Sequence, residues 1–338
     1  MSWMRNGIAG AVVTGAAAVA VVPPSAASMP RAHAAGCVRA SDIEAIIDDS
    51  GSMVATDRDK LRVKGLKLLI NTLSPGTRLG AVEFGGKFFS GDPSVASDTV
   101  FSPEPVGANA AAMGQALDAK INGDNGGTDY NAAFAQSDQD NPAANARIFL
   151  TDGGHDIGNY NNGHLVHKVP TFVIGFSSAV TSAGNQARLR GIASDTGGVY
   201  YPQTDSSRLQ SVMNTIGAAL TCGTPPQNFN DTLKQGASKS HSVAIGAKTK
   251  SVQVALTWPS PLDRFAISNL RLVNNRGKTI ATASRVKKLK ITVTKSSTFI
   301  LLKVSNLTRG SLRFKVKALK IGSGHPKVRL TTQVRQAK

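Results

Sequence analysis

The chain has 338 residues and a formal net charge of +18, from 39 Lys and Arg against 21 Asp and Glu. Residues 223–338 carry 23 basic and 2 acidic side chains, a net charge of +21, whereas residues 37–222 have a net charge of −5. A strongly cationic segment attracts polyanions. It contains only five aromatic residues for stacking on bases, and the composition therefore argues against a nucleic-acid-binding protein.

Residues 1–34 have the pattern of a secretory signal peptide. Arg5 precedes an apolar stretch over 7–22, and Ala32–His33–Ala34 fits a cleavage site. The apolar stretch is short for a membrane span. The pattern predicts a secreted or cell-surface protein with no transmembrane helix in the mature chain. An uncleaved anchor, or lipidation at Cys37, remains an alternative.

Strand and helix patterns alternate along the next part of the chain. Apolar runs predict strands over 43–47, 79–84, 147–150, 170–176 and 199–201, with an edge hairpin over 82–89. Helical patterns follow at 56–73, 108–121, 130–136, 186–194 and 207–220, and Thr56 is a candidate N-cap for the first of them. This alternation predicts an α/β domain with a mostly parallel sheet covered by helices on both faces.

The loop after the first predicted strand carries the strongest functional signal. Asp48, Ser50 and Ser52 alternate along it, and Gly51 allows a tight turn. In an open α/β sheet, ligands bind outside the carboxyl ends of the strands. Carboxylate and hydroxyl oxygens are hard ligands, which suit Mg²⁺, Mn²⁺ or Ca²⁺ and argue against Zn²⁺.

Two later stretches look like the rest of this site. Thr128 lies in a glycine-rich turn before a helix, about 75 residues after Ser52, and Asp152 ends a later strand. This ordered set resembles the metal-ion-dependent adhesion site of the von Willebrand factor type A domain. The resemblance covers residues 37–222 and implies a metal site formed by Asp48, Ser50, Ser52, Thr128 and Asp152. It also implies a divalent metal, with Mg²⁺ first among the three, and an open coordination position for the Glu or Asp of a protein partner.

The two cysteines bracket this domain. Cys37 lies just before the first strand and Cys222 just after the last helix. In an exported chain this placement predicts one disulfide, because the two ends of a compact domain often lie close together. Free or lipidated cysteines remain the alternative.

The chain changes character at residue 223. Residues 223–228 have the composition of a linker, and residues 229–338 contain strictly alternating runs at 251–258, 288–294 and 312–318. Period-two strands predict a smaller, all-β antiparallel sandwich. Val252, Val254 and Leu256 would face its core, with Ala255 and Thr257 on the opposite face. The run that ends in Trp258 weakly resembles the pre-peptidase C-terminal type of sandwich.

No catalytic motif is present: the sequence has no Gly-x-Ser-x-Gly, His-Glu-x-x-His, Gly-x-Gly-x-x-Gly or P-loop. We therefore expect a binding module and not an enzyme, with the basic sandwich attached to an acidic cell-surface polymer or serving as a soluble spacer. The residues expected to contact the protein partner around the metal are Asp49, Met53, Gly127, Asp129 and His155. The alternatives are a non-catalytic accessory subunit with a structural metal, and a secreted hydrolase that uses His155.

Overall fold

The computed structural model describes residues 38–85, 96–123, 126–176, 182–203, 208–223, 225–282 and 289–337. The predicted signal peptide and Cys37 lie outside these ranges, as does the second half of the predicted hairpin over 82–89. The signal peptide and the Cys37–Cys222 disulfide therefore stay predictions. Within the described ranges, no helix has both the length and the apolar character needed to cross a membrane.

The first domain alternates strands and helices as the sequence predicts. Its strands are β1 (Asp42–Asp48), β2 (Arg78–Phe84), β3 (Ser97–Pro105), β4 (Ala146–Thr151), β5 (Thr171–Phe176) and β6 (Tyr200–Gln203). Its helices are α1 (Met53–Thr56), α2 (Leu61–Thr72), α3 (Val106–Lys120), α4 (Tyr130–Asp140), α5 (Ala183–Thr196) and α6 (Leu209–Leu220), with a 3₁₀ turn at Gly163–Leu165.

The six strands form one sheet in the order β3-β2-β1-β4-β5-β6. All neighbours are parallel except β2 and β3. Strands β1, β4 and β5 are buried along their whole length, because helices cover both faces. This sheet confirms the predicted α/β architecture. Since β1 and β4 are neighbours, Asp48 and Asp152 come from adjacent strand ends.

Two local predictions differ from the structure. Strand β3 was not predicted, because Asp98, Ser102 and Glu104 make it too polar for a buried strand; it lies at the edge of the sheet with these side chains exposed. The predicted start of α2 at Thr56 is wrong. The Asp57 carboxylate accepts hydrogen bonds from the backbone N–H groups of Leu61 (2.7 Å) and Arg62 (3.0 Å), so α2 begins at Leu61.

The second domain is a sandwich of two antiparallel sheets. Its strands are β7 (Gln227–Leu233), β8 (Ser238–Ile245), β9 (Ser251–Thr257), β10 (Arg264–Val273), β11 (Thr279–Thr282), β12 (Lys290–Lys295), β13 (Phe299–Ser305), β14 (Gly310–Lys320) and β15 (Val328–Ala337). We call β11-β10-β14-β8 the four-stranded sheet and β12-β13-β9-β15-β7 the five-stranded sheet. The predicted sandwich is confirmed, with an apolar core that includes Val252, Leu256, Trp258 and Phe314.

The outer face of the five-stranded sheet packs against the first domain, and both belong to one compact unit. Leu68 of α2 packs with Ala255, Phe299 and Leu301 of the sheet. The Arg335 guanidinium donates to the carbonyl of Thr72 (2.9 Å). Period-two alternation marks Ala255 and Thr257 as facing away from the sandwich core, yet both are buried, at 1% and 2% exposure. Alternation distinguishes the two faces of a strand but does not show what covers the second face.

Glu44 of β1 gives a pH-dependent prediction for the stability of the first domain. Its side chain is fully buried, and burial raises its pKa from 4.5 to about 8, although Arg147 on the neighbouring strand lowers it in part. A carboxyl whose pKa is raised by folding stabilises the native state fully below pH 4.5, and this contribution is lost as the pH rises to 8. We expect Glu44→Gln to unfold like the parent at pH 4.5 and to be more stable by on the order of 3 kcal/mol at pH 9.

Urea denaturation at the two pH values measures this difference. Glu104→Gln removes an exposed carboxyl from edge strand β3 and should change stability equally at both. A pH-independent gap between Glu44→Gln and the parent would contradict the prediction.

Candidate metal centre

The loop after β1 is built around the Asp48 carboxylate. One oxygen, Oδ1, accepts hydrogen bonds from the backbone N–H of Ser50 (3.0 Å) and from its hydroxyl (2.6 Å). The other, Oδ2, accepts from the hydroxyl of Thr151 at the end of β4 (2.6 Å). Asp48 thus fixes the fold of its own loop and joins it to the neighbouring strand.

Hydroxyl groups continue from Asp48 to Asp152. The Ser50 and Ser52 hydroxyl oxygens are 3.1 Å apart, and Ser52 donates to Asp152 Oδ1 at 2.7 Å. The Thr56 hydroxyl donates to Asp152 Oδ2. Two carboxylates and the four hydroxyls of Ser50, Ser52, Thr56 and Thr151 therefore form one connected group of oxygen atoms at the carboxyl end of the sheet.

The loop that carries Thr128 lies against the same region. The backbone N–H of Gly51 donates to the carbonyl of Gly126 (3.1 Å), which connects this loop to the serine loop. A methyl group placed on Gly153, the residue after Asp152, would lie 3.6 Å from the Thr128 hydroxyl oxygen. The five residues predicted to ligate a metal are therefore neighbours in space. Their role as ligands stays a prediction.

Gly85 at the end of β2 supports the serine loop by close approach. Its φ is +130°, and a methyl group at this position would be 2.3 Å from the backbone nitrogen of Ser50. The adjacent Phe84 carbonyl accepts a hydrogen bond from the Asp49 N–H (2.7 Å). Only glycine lets β2 pass this close to the loop.

The electrostatics of the site favour a cation. Asp48 and Asp152 are both fully buried. Burial, followed by repulsion from Asp152, raises the pKa of Asp48 from 3.8 to about 6. Two buried carboxylates that repel each other form a region of negative potential, which a divalent cation would stabilise.

The donor set decides which cation fits. Among the described residues, no group of three or more His, Cys, Asp or Glu side chains is arranged to hold a metal ion. A cation here would depend on Asp48, Asp152 and hydroxyl oxygens. Such a set suits Mg²⁺, Mn²⁺ or Ca²⁺ and not the softer transition metals.

Two of the predicted partner-contacting residues are not at the surface, and these predictions are corrected. Asp49 is fully buried and forms an ion pair with Arg62, which also pairs with Asp57. Its second oxygen accepts hydrogen bonds from the N–H groups of Asn122 and Gly123, both at 2.8 Å. Met53 is 1% exposed and belongs to the core. Asp49 therefore stabilises the loop from the interior of the domain, and neither Asp49 nor Met53 is accessible to a partner.

The other three predicted contact residues surround the Thr128 loop. Asp129 caps α4, since its carboxylate accepts from the N–H groups of Asn131 (2.9 Å) and Ala132 (3.2 Å). The His155 ring is 1% exposed and its Nδ1 accepts from the N–H of Tyr130 (3.1 Å). The prediction for His155 is therefore corrected, because its ring is buried, whereas Gly127 and Asp129 are half-buried.

Sequence reasoning missed four residues of the site. Thr151 and Thr56 bind the two carboxylates, and the Tyr130 hydroxyl donates to the carbonyl of Gly153 (2.8 Å). Val54 is 52% exposed, two residues after Ser52. Thr56 and Thr151 belong to no sequence motif that would mark them as part of the site. Thr151 does immediately precede Asp152 at the end of its strand, however, and contact with Asp48 could have been anticipated at that position.

Comparison with known proteins gives structural neighbours only. No protein-family model and no curated protein matches the sequence. A von Willebrand factor type A protein from Catenulispora acidiphila matches 86% of this chain and 62% of its own, at 17% identity and a TM-score of 0.41. The pilus adhesin SpaC from Lactobacillus rhamnosus GG matches 89% of this chain and 44% of its own, at 13% identity and a TM-score of 0.44. The manganese-loaded TRAP protein of Plasmodium vivax matches 61% of this chain and 87% of its own, at 17% identity and a TM-score of 0.38.

The first part of the chain has a von Willebrand factor type A fold. Its sheet is mostly parallel, in the order β3-β2-β1-β4-β5-β6, with β3 antiparallel at the edge and helices on both faces. The chain spans less than two thirds of the length of the Catenulispora protein and of SpaC. The resemblance of the sandwich to the pre-peptidase C-terminal type stays a prediction.

The raised pKa of Asp48 predicts how metal binding depends on pH. A cation at this site needs the ionised carboxylate, and below about pH 6 a proton competes for it. We expect the affinity for Mn²⁺ to be nearly constant above pH 7 and to fall about tenfold for each pH unit well below 6. Isothermal titration calorimetry from pH 5 to pH 8 measures this. Constant affinity across the whole range would contradict the assignment of Asp48 as a ligand.

Proposed function

We propose that this protein is an exported adhesion-type module that binds a protein partner through a divalent cation. The cation, Mg²⁺ first and Mn²⁺ or Ca²⁺ as alternatives, would be held by Asp48, Ser50, Ser52, Thr128 and Asp152. The observation that carries the proposal is the connected chain of oxygens from Asp48 to Asp152, with distances of 2.6, 3.1 and 2.7 Å.

The composition of this ligand set favours binding over catalysis. Three of the five residues offer neutral hydroxyls, and the Asp48 carboxylate already accepts hydrogen bonds from Ser50 and Thr151, so a divalent ion would still attract an incoming carboxylate as a further oxygen ligand. We therefore infer that the Glu or Asp of a partner completes the coordination. Ser52, Val54 and Asp156 are exposed near the site and would contact the partner around that carboxylate.

Enzymatic activity is not expected. The hydrolase alternative required His155 as a base, but its ring is buried and its Nδ1 already accepts a backbone hydrogen bond. Tyr130, whose hydroxyl lies 3.2 Å from that of Thr151, has a pKa raised by burial, which makes it a poor nucleophile. The proposal depends on this site and not on the structural neighbours, although one is a pilus adhesin and another was solved with manganese.

The basic sandwich would serve attachment. Its net charge of +21 in residues 223–338 suits an acidic polymer at a cell surface. The metal site would then bind a protein while the sandwich holds the molecule at the surface. Nucleic acid is not an expected partner.

The cation site is tested by titrating the purified protein with Mn²⁺ and Mg²⁺ and recording thermal melting. Asp152→Asn should lose saturable binding and the accompanying rise in Tm, and without metal it should melt no lower than the parent because it relieves repulsion with Asp48. Asp118→Asn removes an exposed acid, 62% accessible, on α3 and should bind like the parent. Equal binding by all three proteins would refute the site.

The open coordination position is tested with the Mn²⁺ form. Water-proton relaxation should be enhanced by bound Mn²⁺ and should fall when glutarate is added, since a carboxylate would replace water on the ion. No response to saturating glutarate would mean that the coordination shell is closed. A partner complex that survives chelation would instead indicate an accessory subunit with a structural metal.

A further inference from the structure

The outer face of the four-stranded sheet carries a set of basic side chains that the metal site does not use. Arg313 and Lys315 alternate on β14 with buried residues, and Arg271 of β10 is directly opposite Arg313. On the other side of β14, Ser242 is paired with Arg313 and Ser240 with Lys315. The face therefore presents rows in which basic residues are flanked by hydroxyls. We call Arg271, Arg313, Lys315, Ser240 and Ser242 the basic face.

A surface depression lies on the basic face. Its volume is about 420 Å³, and all five residues of the basic face line it together with Asn269. The register between β10 and β14 shifts between Ser268 and Arg271, and Asn269 has a φ of +53°. This irregularity is a β-bulge, which bends the strand and makes the otherwise flat face concave.

The charges of the basic face are not balanced within the protein. The sandwich has two acidic residues, and both are engaged elsewhere. Asp231 bonds to His241 (2.7 Å), and Asp263 accepts from the N–H groups of Gly322 (2.9 Å) and Ser323 (3.1 Å). In the described part of the chain, no carboxylate lies within 4.0 Å of the three basic side chains. Like charges directly opposite on neighbouring strands are destabilising, so the Arg271–Arg313 pair favours a bound anion.

We propose that the basic face binds a linear polymer of phosphodiester-linked sugars or polyols. Arginine forks match phosphate oxygens in a bidentate manner. A phosphodiester has two non-bridging oxygens, and each can accept hydrogen bonds from one of the two arginine forks. The small serines leave room for the chain and offer hydroxyls to its sugar or polyol groups.

A polymer fits better than a single phosphate because the charge continues along β14. Lys315 and Lys317 follow Arg313 at intervals of two residues, roughly 7 Å each. Successive phosphates can therefore meet successive rows of the sheet. This inference rests on the surface-attachment half of the proposed function and is independent of its metal site.

Two other polyanionic surfaces fit less well. A nucleic acid would need exposed aromatic rings for stacking, but Trp258, Phe265 and Phe314 are at most 5% exposed. To bind a membrane, the basic face would need several exposed apolar side chains around it that could insert among the lipids. On β14, Leu319 is the single exposed large apolar residue, which is too few.

The experiment measures binding of fluorescently labelled poly(glycerol phosphate) to the full chain by anisotropy, in EDTA so that the metal site is silent. Arg271→Gln/Arg313→Gln should weaken binding about tenfold or more and lower the slope of log affinity against log salt by about 1 to 2. Arg271→Lys/Arg313→Lys keeps the charge but loses the forks, and it should weaken binding several-fold. Lys290→Gln/Lys295→Gln removes the same charge from exposed positions on β12, in the other sheet, and should change affinity less than twofold.

The competing ligands are polygalacturonate, an oligo(dT) and phosphatidylglycerol vesicles, each at matched charge. The proposal would be overturned if Arg271→Gln/Arg313→Gln and Lys290→Gln/Lys295→Gln lowered the affinity for poly(glycerol phosphate) equally. It would also be overturned if any of the three competing ligands bound more tightly than poly(glycerol phosphate). Each variant should still bind Mn²⁺ once EDTA is removed, which shows that it is folded and separates failure here from failure of the metal site. At low salt, Arg271→Gln/Arg313→Gln should also have a higher Tm than the parent, because it removes the repulsion between Arg271 and Arg313.

Discussion

The buried Asp48 carboxylate is the contact on which the candidate site depends. It organises its own loop through Ser50 and joins the central strand to β4 through Thr151. Below it, Asp49 and Arg62 fix the same loop to α2. Burying any one of these charged or polar side chains without its partner would cost free energy of folding. Together they hold two carboxylates and a row of hydroxyls in one arrangement.

The two domains are joined by a packed surface. Helices α2 and α6 lie between the parallel sheet and the five-stranded sheet, so they are covered on two sides. Leu68 supplies apolar contact there, while Asn214 donates to Gln333 (2.9 Å) and Gln210 to Thr298 (2.5 Å). Buried side-chain hydrogen bonds of this kind specify one geometry more strongly than apolar contact does. The sandwich is therefore held in a defined orientation relative to the first domain.

The sequence predicted the architecture, and the grouping of Asp48, Ser50, Ser52 and Asp152 at one end of the sheet, better than the surroundings of the site. Asp48, Ser50 and Ser52 form a local motif at a strand end, and such motifs depend on neighbours along the chain. Asp49 was assigned to the surface because its partner Arg62 lies thirteen residues away and an ion pair across a turn has no periodic signature. Ala255 was assigned to an outer face because strand alternation contains no information about a second domain.

The interface of α2 and α6 with the five-stranded sheet also determines how the molecule would respond to load. If a partner pulls on the metal loop while a polymer holds the opposite sheet of the sandwich, the force passes through these helices and through contacts such as that of Arg335 with Thr72. The strands of the sandwich and the helix contacts are then loaded in series. Under flow or traction, the strength of adhesion would be limited by the weakest of these layers and not by the affinity of either binding site alone.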